Sequence, residues 1–395
     1  MEIRRLTSDD VGQLGPLSAE AFAAYPPGAA PEPRPLPAWR STVGAVEDGR
    51  VVGKASGNHV ASWWHGAVVP TCGVAGVSVA VEHRGRGLLA DMLQAVLEEA
   101  HAHGEPISTL YPTAAGIYRS LGWELFASYD TVEVPTASLT RLRPPAGVRT
   151  RRATVEDVPA LHELWTAWAR HQNGPLTRDG AAFEETPEEA LGEHHGVTLA
   201  MDQDDRVLGF ASWTRTGGYA GEGVIEVTDL LAVSGEAYCG LWARLGTFEA
   251  VAPVVRLRTS GDDPARLVLP TSTWRVVARQ PCSLRVDDPA AALTAAAPTV
   301  PGMTTSVAFS VRGDRLGRSD GDYRLTVGEE GSVCERDSSA DGSMTFTPQG
   351  LSLAFAGVQS CANLRMLGHL VGPREHDRVL DAVLGGRPAH VRDYY

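Results

Sequence analysis

Residues 77–89 combine residue types that suit the binding of a phosphorylated ligand. Valine alternates with small residues over positions 77–81, which is typical of a strand with one apolar face. The sequence Arg-Gly-Arg-Gly occupies positions 84–87, and from Leu89 to Ala100 apolar residues recur at helical spacing. A strand therefore leads through an Arg/Gly turn into the N-terminus of an amphipathic helix.

Anion binding is the chemistry that such a turn favours. The first N–H groups of a helix have no intrahelical partner, and the helix dipole adds partial positive charge there. Gly85 and Gly87 let the backbone approach phosphate oxygens closely, and Arg84 and Arg86 supply guanidinium donors. We interpret the turn as a diphosphate site, and the alternative is a solvated basic turn before a surface helix.

The spacing Arg84-x-x-Gly87 resembles the Arg/Gln-x-x-Gly-x-Gly/Ala signature of the GCN5-related N-acetyltransferases (GNAT). Leu89 stands where that signature has Gly or Ala, and Arg-Gly-Leu-Leu is similar to the turn of the Eis-type (enhanced intracellular survival) branch. The resemblance implies acetyl-CoA as co-substrate, with no metal. It implies the following acetyl-CoA contacts: Val77, Ser78, Val79, Arg84, Gly85, Arg86, Gly87, Leu88, Leu89, Ala90, Thr113 and Ala114.

A second block, residues 110–123, supports the same interpretation. It is similar to the family segment G-I-Y-x-x-(F/L)-G-(Y/W), and this match implies that Tyr118 is the general acid. The leaving thiolate has a conjugate acid of pKa about 8.5, and a tyrosine of pKa about 10 stays protonated at neutral pH until it is needed. The alternative for Tyr118 is an aromatic side chain packed in the core.

The attacking amine must also lose a proton. In the Eis-type family the C-terminal carboxylate accepts it, so the resemblance implies that the base is the α-carboxylate of Tyr395, delivered from the third domain. A terminal carboxylate has a pKa of about 3.5, and the role therefore requires burial or relay through water. The alternative is a frayed chain end, against which the aromatic pair Tyr394-Tyr395 argues.

An imperfect repeat indicates how these elements are arranged. Residues 4–11 and 151–158 share Arg-Arg, a Thr followed three residues later by Asp, and then a helical pattern. Residues 47–53 and 203–209 both predict a hairpin turn that leads into a strand. We therefore expect a duplicated α/β domain with residues 141–147 as the linker.

The second copy lacks the residues that would bind a diphosphate. Its motif strand aligns with residues 224–233, and residues 234–240 replace the Arg/Gly turn. This replacement contains no arginine, and Glu236 would repel a diphosphate. We expect a degenerate domain that builds walls and interfaces and binds no acetyl-CoA.

From about Cys282 the pattern changes to that of a smaller α+β domain. Predicted strands cover 306–311, 323–327 and 351–355, and predicted helices cover 290–296 and 374–384. This part resembles the sterol-carrier-like domain of the same family.

The predicted fold class is α/β (α+β), with three units in one chain. Two tandem GNAT-like domains cover residues 1–143 (catalytic) and 148–280 (degenerate). The sterol-carrier-like domain covers residues 282–395, and its terminus reaches the active site.

Composition limits the remaining possibilities. The 395 residues carry a formal net charge of −13, which argues against a nucleic-acid partner and is compatible with a cationic one. Five scattered cysteines signal neither a disulfide framework nor a metal site. No apolar run reaches the ~20 residues of a membrane span, and without a signal core we expect a cytoplasmic protein. The family resemblance implies a homo-oligomer, commonly a hexamer.

The amine acceptor is poorly specified by the sequence. The family acts on primary amines of aminoglycoside-like polycations and on lysine side chains. Alternatives to catalysis are an acetyl-CoA-binding regulator and a lipid or sterol carrier. The acceptor site could be lined by Trp39, Trp63 and Trp64, with a proline-rich rim from residues 26–37. Glu20 and Asp393 could supply negative charge for a polyamine. Each of these residues is equally compatible with ordinary surface or core.

Overall fold

The computed structural model describes residues 1–23, 34–218, 222–261, 263–269, 273–340 and 344–395. Within these ranges the strands form one sheet of twelve and one of five. The predicted proline-rich rim lies outside the described residues from 26 to 33. None of the described helices is long and apolar enough to cross a membrane.

The first repeat unit alternates strands and helices as its sequence pattern predicts. In chain order its elements are β1 (Glu2–Arg5), α1 (Val11–Phe22), β2 (Arg40–Glu47), β3 (Arg50–Trp64), β4 (Ala67–Val79), α2 (Leu88–Ala102), β5 (Ile107–Leu110), α3 (Ala115–Arg119), β6 (Glu124–Pro135) and α4 (Thr136–Leu139).

The second repeat unit follows the same order with one extra short helix. Its elements are β7 (Arg149–Arg152), α5 (Val158–Ala169), α6 (Pro187–Gly192), β8 (Gly196–Met201), β9 (Val207–Thr216), β10 (Val224–Ala232), α7 (Gly235–Leu245), β11 (Val254–Thr259), α8 (Ala265–Val268) and β12 (Arg275–Val286).

The third unit combines helices with the five-stranded sheet. Its elements are α9 (Pro289–Ala296), β13 (Thr305–Val311), β14 (Gly321–Val327), β15 (Ser332–Arg336), β16 (Met344–Phe346), α10 (Pro348–Phe355), α11 (Cys361–Met366), β17 (Leu370–Val371) and α12 (Asp377–Leu384).

The predicted duplication is confirmed down to its local contacts. In the first copy Thr7 and Asp10 form a capping box, and Arg4 binds the Asp10 carboxylate through both terminal nitrogens, at 2.9 and 2.8 Å. In the second copy Thr154 and Asp157 form the same capping box. These contacts fix the entry of each helix because they satisfy N–H groups that lack helical partners.

The two copies exchange their last strands. The order of the large sheet is β1-β2-β3-β4-β5-β12-β6-β11-β10-β9-β8-β7. Strand β12 of the second copy pairs antiparallel with β5 of the first, and β6 of the first copy pairs antiparallel with β11 of the second. The exchanged strands also pair with each other. The sheet is therefore continuous, and the boundary predicted between residues 280 and 282 falls inside β12.

The third unit covers one face of the first copy. Trp64 is fully buried there, with its ring centroid 5.4 Å from that of Phe126 and 5.1 Å from that of Phe355 in α10. Trp64 therefore lines no open site, in keeping with the core environment that the sequence left open as an alternative. Its large apolar side chain instead belongs to the core shared by the first and third units.

One predicted strand of the third unit is a helix. Residues 351–355 lie in α10, where Thr347 Oγ1 accepts a hydrogen bond from the Gly350 N–H and Pro348 occupies the first turn. Leu351, Leu353 and Phe355 alternate with smaller residues, which predicts a strand, but nearly every side of α10 is buried and the small residues face the core as well. Such a run is ambiguous between a buried strand and a buried helix.

Candidate active site

Strands β4 and β5 separate to open a gap in the sheet. They pair in parallel only from Thr71 to Gly73 and from Ile107 to Thr109. Strand β4 continues to Val79, whereas β5 ends at Leu110. The far half of β4 therefore keeps one neighbour, β3, and leaves its other edge open.

A β-bulge lies in this open half of β4. Lys54 pairs with Ser78 and Ser56 pairs with Ala75, so that two residues, at 76 and 77, face the single residue between Lys54 and Ser56. A bulge disrupts the ladder locally and redirects backbone groups, and this one lies in the half of β4 that runs beside the gap.

The Arg/Gly turn follows β4 and has the backbone that glycine allows. Gly85 and Gly87 have φ angles of +77° and +84°, and a Cβ at either position would meet nothing within 4 Å. The positive φ angles therefore account for the glycines, and the space beside the turn is open to a ligand. Gly87 immediately precedes α2, whose first N–H groups face no intrahelical acceptor.

The gap and the turn together form a groove of about 540 Å³. It brings together all but one of the predicted acetyl-CoA contacts, namely Val77, Ser78, Val79, Arg84, Gly85, Arg86, Gly87, Leu88, Leu89, Ala90 and Thr113. Ala114 is exposed beside the groove and does not line it. Lining residues that the sequence analysis missed are Ala21, Phe22, His83, Ile117, Ser120, Leu121 and Arg315.

The two arginines of the turn are about half exposed and bind carboxylates at its base. Arg86 lies 3.0 Å from Glu47, whose pKa is lowered chiefly by the Arg86 hydrogen bond. Arg84 lies 3.6 Å from Glu20, which also accepts a hydrogen bond from the Val81 N–H. Glu20 is thus engaged by the backbone and by Arg84 beside the groove.

Tyr118 packs next to the groove but does not itself line it. It is 8% exposed and packs in the same core as Leu88 and Leu121, both of which line the groove. Its ring meets Trp123 edge-on, with centroids 6.2 Å apart. Burial raises the pKa of the Tyr118 phenol, so the hydroxyl remains protonated at neutral pH.

Tyr395 approaches the same strands from the other side of the sheet. Cys72 and Val74 pack with α2, so Gly73 between them faces away from α2. The Tyr395 ring lies against Gly73, where a Cβ would come within 2.9 Å of the ring. The Tyr395 hydroxyl forms a short hydrogen bond with Thr109 Oγ1 on β5, next to the gap.

The chain before Tyr395 is held by the second copy. Asp393 accepts a hydrogen bond from Arg178 Nε at 2.8 Å, and Arg178 also binds Asp229 at 2.7 Å. The Arg178 guanidinium stacks 3.5 Å from the Trp165 ring centroid. On the first copy, the Tyr111 hydroxyl donates to the Asp393 carbonyl at 2.5 Å. The Asp393 carboxylate is thus engaged by an arginine.

Trp39 and Trp63 are the other two tryptophans considered for the acceptor site. Both are half-buried, and Trp39 lies under the guanidinium of Arg40 at 4.8 Å. Trp63 packs against the core of the second copy. Neither ring is among the described residues that line the groove, and their place at an acceptor site stays a prediction.

The second copy keeps the geometry of the site without its arginines. Helix α7 follows β10 directly, and Ser234 at its start accepts a hydrogen bond from the Ala237 N–H. A groove of about 490 Å³ lies there and is walled in part by His390 and Arg392 of the C-terminal segment. Glu236 stands in the first turn of α7.

Each of the three units matches a known protein family. Residues 2–126 and 174–286 each match a family described as an acetyltransferase (GNAT) domain. Residues 268–392 match a sterol carrier protein domain.

Individual relatives share this organisation. An uncharacterized N-acetyltransferase from Streptomyces avermitilis is 28% identical over 379 residues, covering 88% of this chain and 87% of its own. The N-acetyltransferase Eis from Mycobacterium tuberculosis is 27% identical and covers 68% of this chain and 70% of its own. The structure of a GCN5-related N-acetyltransferase from Kribbella flavida is 26% identical, with a TM-score of 0.80 over 100% of this chain and 98% of that one.

These matches agree with the geometry of the groove. Two acetyltransferase domains precede a sterol carrier domain, and the Arg/Gly turn is present in the first of them. The chain belongs to the Eis-type N-acetyltransferases of the GNAT superfamily, enzymes that take the acetyl group from acetyl-CoA.

Proposed function

We propose that this enzyme acetylates primary amines of polycationic, aminoglycoside-like small molecules or of lysine side chains. The observation that carries the proposal is the groove between β4 and β5, which has an Arg/Gly turn at one end and Tyr118 packed next to it. The formal net charge of −13 favours the approach of a cationic acceptor.

In this proposal acetyl-CoA lies along the open edge of β4. The N–H groups of the turn and the side chains of Arg84 and Arg86 bind the diphosphate. The pantetheine arm follows residues 77–79, and the redirected backbone at the bulge donates to the thioester carbonyl oxygen.

The reaction is a direct attack of the amine on the thioester. The amine nitrogen forms a bond to the carbonyl carbon, the C–S bond breaks, and Tyr118 donates its phenolic proton to the departing thiolate. The α-carboxylate of Tyr395 accepts the proton of the amine, directly or through water. The support is that Tyr118 is a buried, protonated phenol and that Tyr395 is packed against β4 and β5.

An acetylation assay on an amine panel tests this mechanism. Tobramycin and lysine-containing peptides are incubated with acetyl-CoA, and products are measured by mass spectrometry alongside CoA release. Removal of the phenolic proton in Tyr118→Phe should lower kcat by about 10²-fold or more with acetyl-CoA affinity unchanged. Equal kcat in the variant and the native enzyme would exclude Tyr118 as the acid.

The role of the Tyr395 carboxylate has a separate test. Residues appended after Tyr395 should lower turnover more than they lower acetyl-CoA binding, because they convert the carboxylate to an amide. Unchanged turnover in the extended variant would remove the carboxylate from the mechanism.

The alternative functions make different predictions in the same assay. Tight acetyl-CoA binding without CoA release on any amine would favour a regulator. For a lipid carrier, the cavity lined by α10 and α12 is about 200 Å³, smaller than the ~300–1,000 Å³ typical of ligand pockets. We further propose a cytoplasmic homo-oligomer, commonly a hexamer in this family, which light scattering would test.

A further inference from the structure

We propose that Arg315, a residue of the sterol-carrier-like unit, binds a phosphate group of acetyl-CoA and so completes the donor groove from a second domain. The inference rests on acetyl-CoA being the ligand of that groove. It gives the third unit a role in donor binding in addition to carrying the C-terminal residue.

Arg315 lies where a phosphate ligand would meet it. It lines the groove on the side formed by α3, together with Ser120 and Leu121, and the Arg/Gly turn forms the other side. Its Nη1 donates a hydrogen bond to Ser120 Oγ at 3.3 Å, which directs the guanidinium to the groove. Arg315 is exposed, so the remaining N–H groups are available to a ligand.

The charge of Arg315 is less compensated than that of the other groove arginines. Arg84 and Arg86 pair with Glu20 and Glu47, respectively. Within the described ranges, the contact of the Arg315 guanidinium is the neutral Ser120 hydroxyl, and no carboxylate pairs with it. Guanidinium groups bind phosphate oxygens through paired N–H donors, so a phosphate would supply the missing negative charge.

The loop that carries Arg315 is fixed by the residue before it. The buried Asp314 carboxylate accepts hydrogen bonds from the backbone N–H groups of Leu316, Arg318 and Ser319 at 3.0, 2.8 and 2.8 Å. These bonds tie the loop into one conformation. Burial acts to raise the pKa of Asp314, but the Arg285 guanidinium, with help from the Ser319 and Leu316 N–H groups, holds that pKa well below its usual range.

One buried guanidinium connects this loop to the groove wall. Arg285 binds Asp314 at 2.9 Å, and both side chains are fully buried. Arg285 Nη1 also donates to the Leu121 carbonyl at 2.8 Å, directly after α3. Gly122 has a φ of +102° and lies so close that a Cβ there would collide with the Arg285 guanidinium. Arg285 thus sets the distance between the loop and α3.

The position of Arg315 is therefore established before the ligand arrives. Preorganised donors bind more tightly than mobile ones because less conformational entropy is lost on binding. Acetyl-CoA offers two phosphate sources, the diphosphate and the 3′-phosphate on the ribose. Since the Arg/Gly turn suits the diphosphate, we assign Arg315 to the 3′-phosphate.

Calorimetric titration of the full-length enzyme tests the assignment. Acetyl-CoA and its 3′-dephospho analogue are titrated into the native protein, Arg315→Ala, Arg315→Lys and Arg312→Ala. Arg312 is the matched control, because it lies in the same loop, carries the same charge and pairs with Asp322 outside the groove. Melting temperatures verify that each variant is folded.

We expect Arg315→Ala to weaken acetyl-CoA binding about tenfold, Arg315→Lys to weaken it less, and Arg312→Ala to leave it unchanged. If the tenfold loss disappears with the 3′-dephospho analogue, the contact is to the 3′-phosphate. If it persists, the contact is to the diphosphate, and Arg315 remains a phosphate ligand.

Equal affinities of native protein and Arg315→Ala for acetyl-CoA would overturn the proposal, as would an equal loss in Arg312→Ala. A native protein that binds neither nucleotide would instead show that the proposed donor groove is wrong, which is a separate outcome.

Discussion

Tyr118 is buried and Tyr395 is half-buried, and their surroundings give them different chemistry. Burial raises the pKa of the Tyr118 phenol, and its hydroxyl therefore keeps a proton that it can donate. The Tyr395 hydroxyl is bound by Thr109 and its ring packs on Gly73. The Tyr395 side chain is thus an anchor, and in our proposal only its carboxylate is left for catalysis.

Single residues also show what a sequence can and cannot indicate. The groove contacts at 77–90 could be predicted because they are contiguous and their spacing follows one strand, one turn and one helix. Arg315 carries no such local pattern, since its contact with Ser120 joins residues that are far apart in the chain. The sequence left Trp64 open between the acceptor site and the core, because residue type does not distinguish a buried ring from a ligand-binding one.

A pH-dependent stability is expected from Glu105. This buried carboxyl lies 2.8 Å from His59 Nδ1, and burial, with help from Asp287, raises its pKa to about 8. An unfolded glutamate has a pKa of about 4.3, so Glu105 destabilises the native state progressively as pH rises through the window from about 4.3 to 8. The loss is at most about 1.4 kcal/mol per pH unit in that window.

Glu105→Gln should remove this dependence. The melting temperature of the variant should rise relative to that of the native protein between pH 5 and pH 8 and change little above pH 8. Glu98→Gln, at an exposed position of α2, serves as the control and should show a constant difference. If the melting temperatures of Glu105→Gln and the native protein differed by the same amount at every pH, the raised pKa of Glu105 would be contradicted.

At the scale of elements, helices and strands could be predicted where the residues that define them lie close together in the sequence. The capping boxes at Thr7 and Thr154, the strand before the turn and the amphipathic α2 were all visible as spacing. Helix α10 has the alternation of a strand at Leu351, Leu353 and Phe355, because burial on nearly every side lets small residues stand anywhere along the helix. The bulge in β4 and the separation of β4 from β5 depend on pairing partners, which no local pattern contains.

The C-terminal segment is an element without regular structure, and the second copy holds it in place. Arg178→Ala would leave the Asp229 and Asp393 carboxylates without the cation that binds both. Because Asp393 would lose the arginine that binds it and Asp229 would keep, among the described residues, only the ion pair with Arg392, at 3.9 Å, we expect release of the segment and a fall in kcat of at least about tenfold with acetyl-CoA affinity unchanged.

Steady-state kinetics and calorimetry would measure the two quantities separately. Arg151→Ala is the control. It removes an exposed arginine that pairs with Asp157 in the same copy, and it should leave kcat and acetyl-CoA affinity unchanged. Asp393→Asn keeps a hydrogen-bond acceptor for Arg178 and should lose less activity. Full turnover in a folded Arg178→Ala enzyme would show that the pair does not position the segment.

At the scale of the whole molecule, the exchange of β6 and β12 makes the units interdependent. We propose residues 1–143, 148–280 and 282–395 as the three units, yet β12 completes the sheet of the first unit and carries Arg285 to its active-site wall. Sequence analysis could identify the duplication from its repeat. It could not identify the exchange, because both arrangements use the same strands.

A chain divided in the linker at residues 141–147 should test this interdependence. Fragments 1–144 and 145–395, expressed separately, should aggregate, because each exposes strand edges that normally pair with the other. Expressed together, they should co-purify in equal amounts and regain acetylation activity. A fragment 1–144 that is soluble, monomeric and cooperatively folded by calorimetry would refute the prediction.

Strand β12 also imposes a delay while the protein is being synthesised. Strand β5 leaves the ribosome long before residue 286, and at about 5–20 residues per second the interval is on the order of 10–35 seconds. Throughout that time the edge of β5 has no partner and is a template for pairing with other chains. The nascent chain is therefore most prone to aggregation after the first acetyltransferase domain has been synthesised and before β12 has. Chaperones that cover open strand edges would act during that interval.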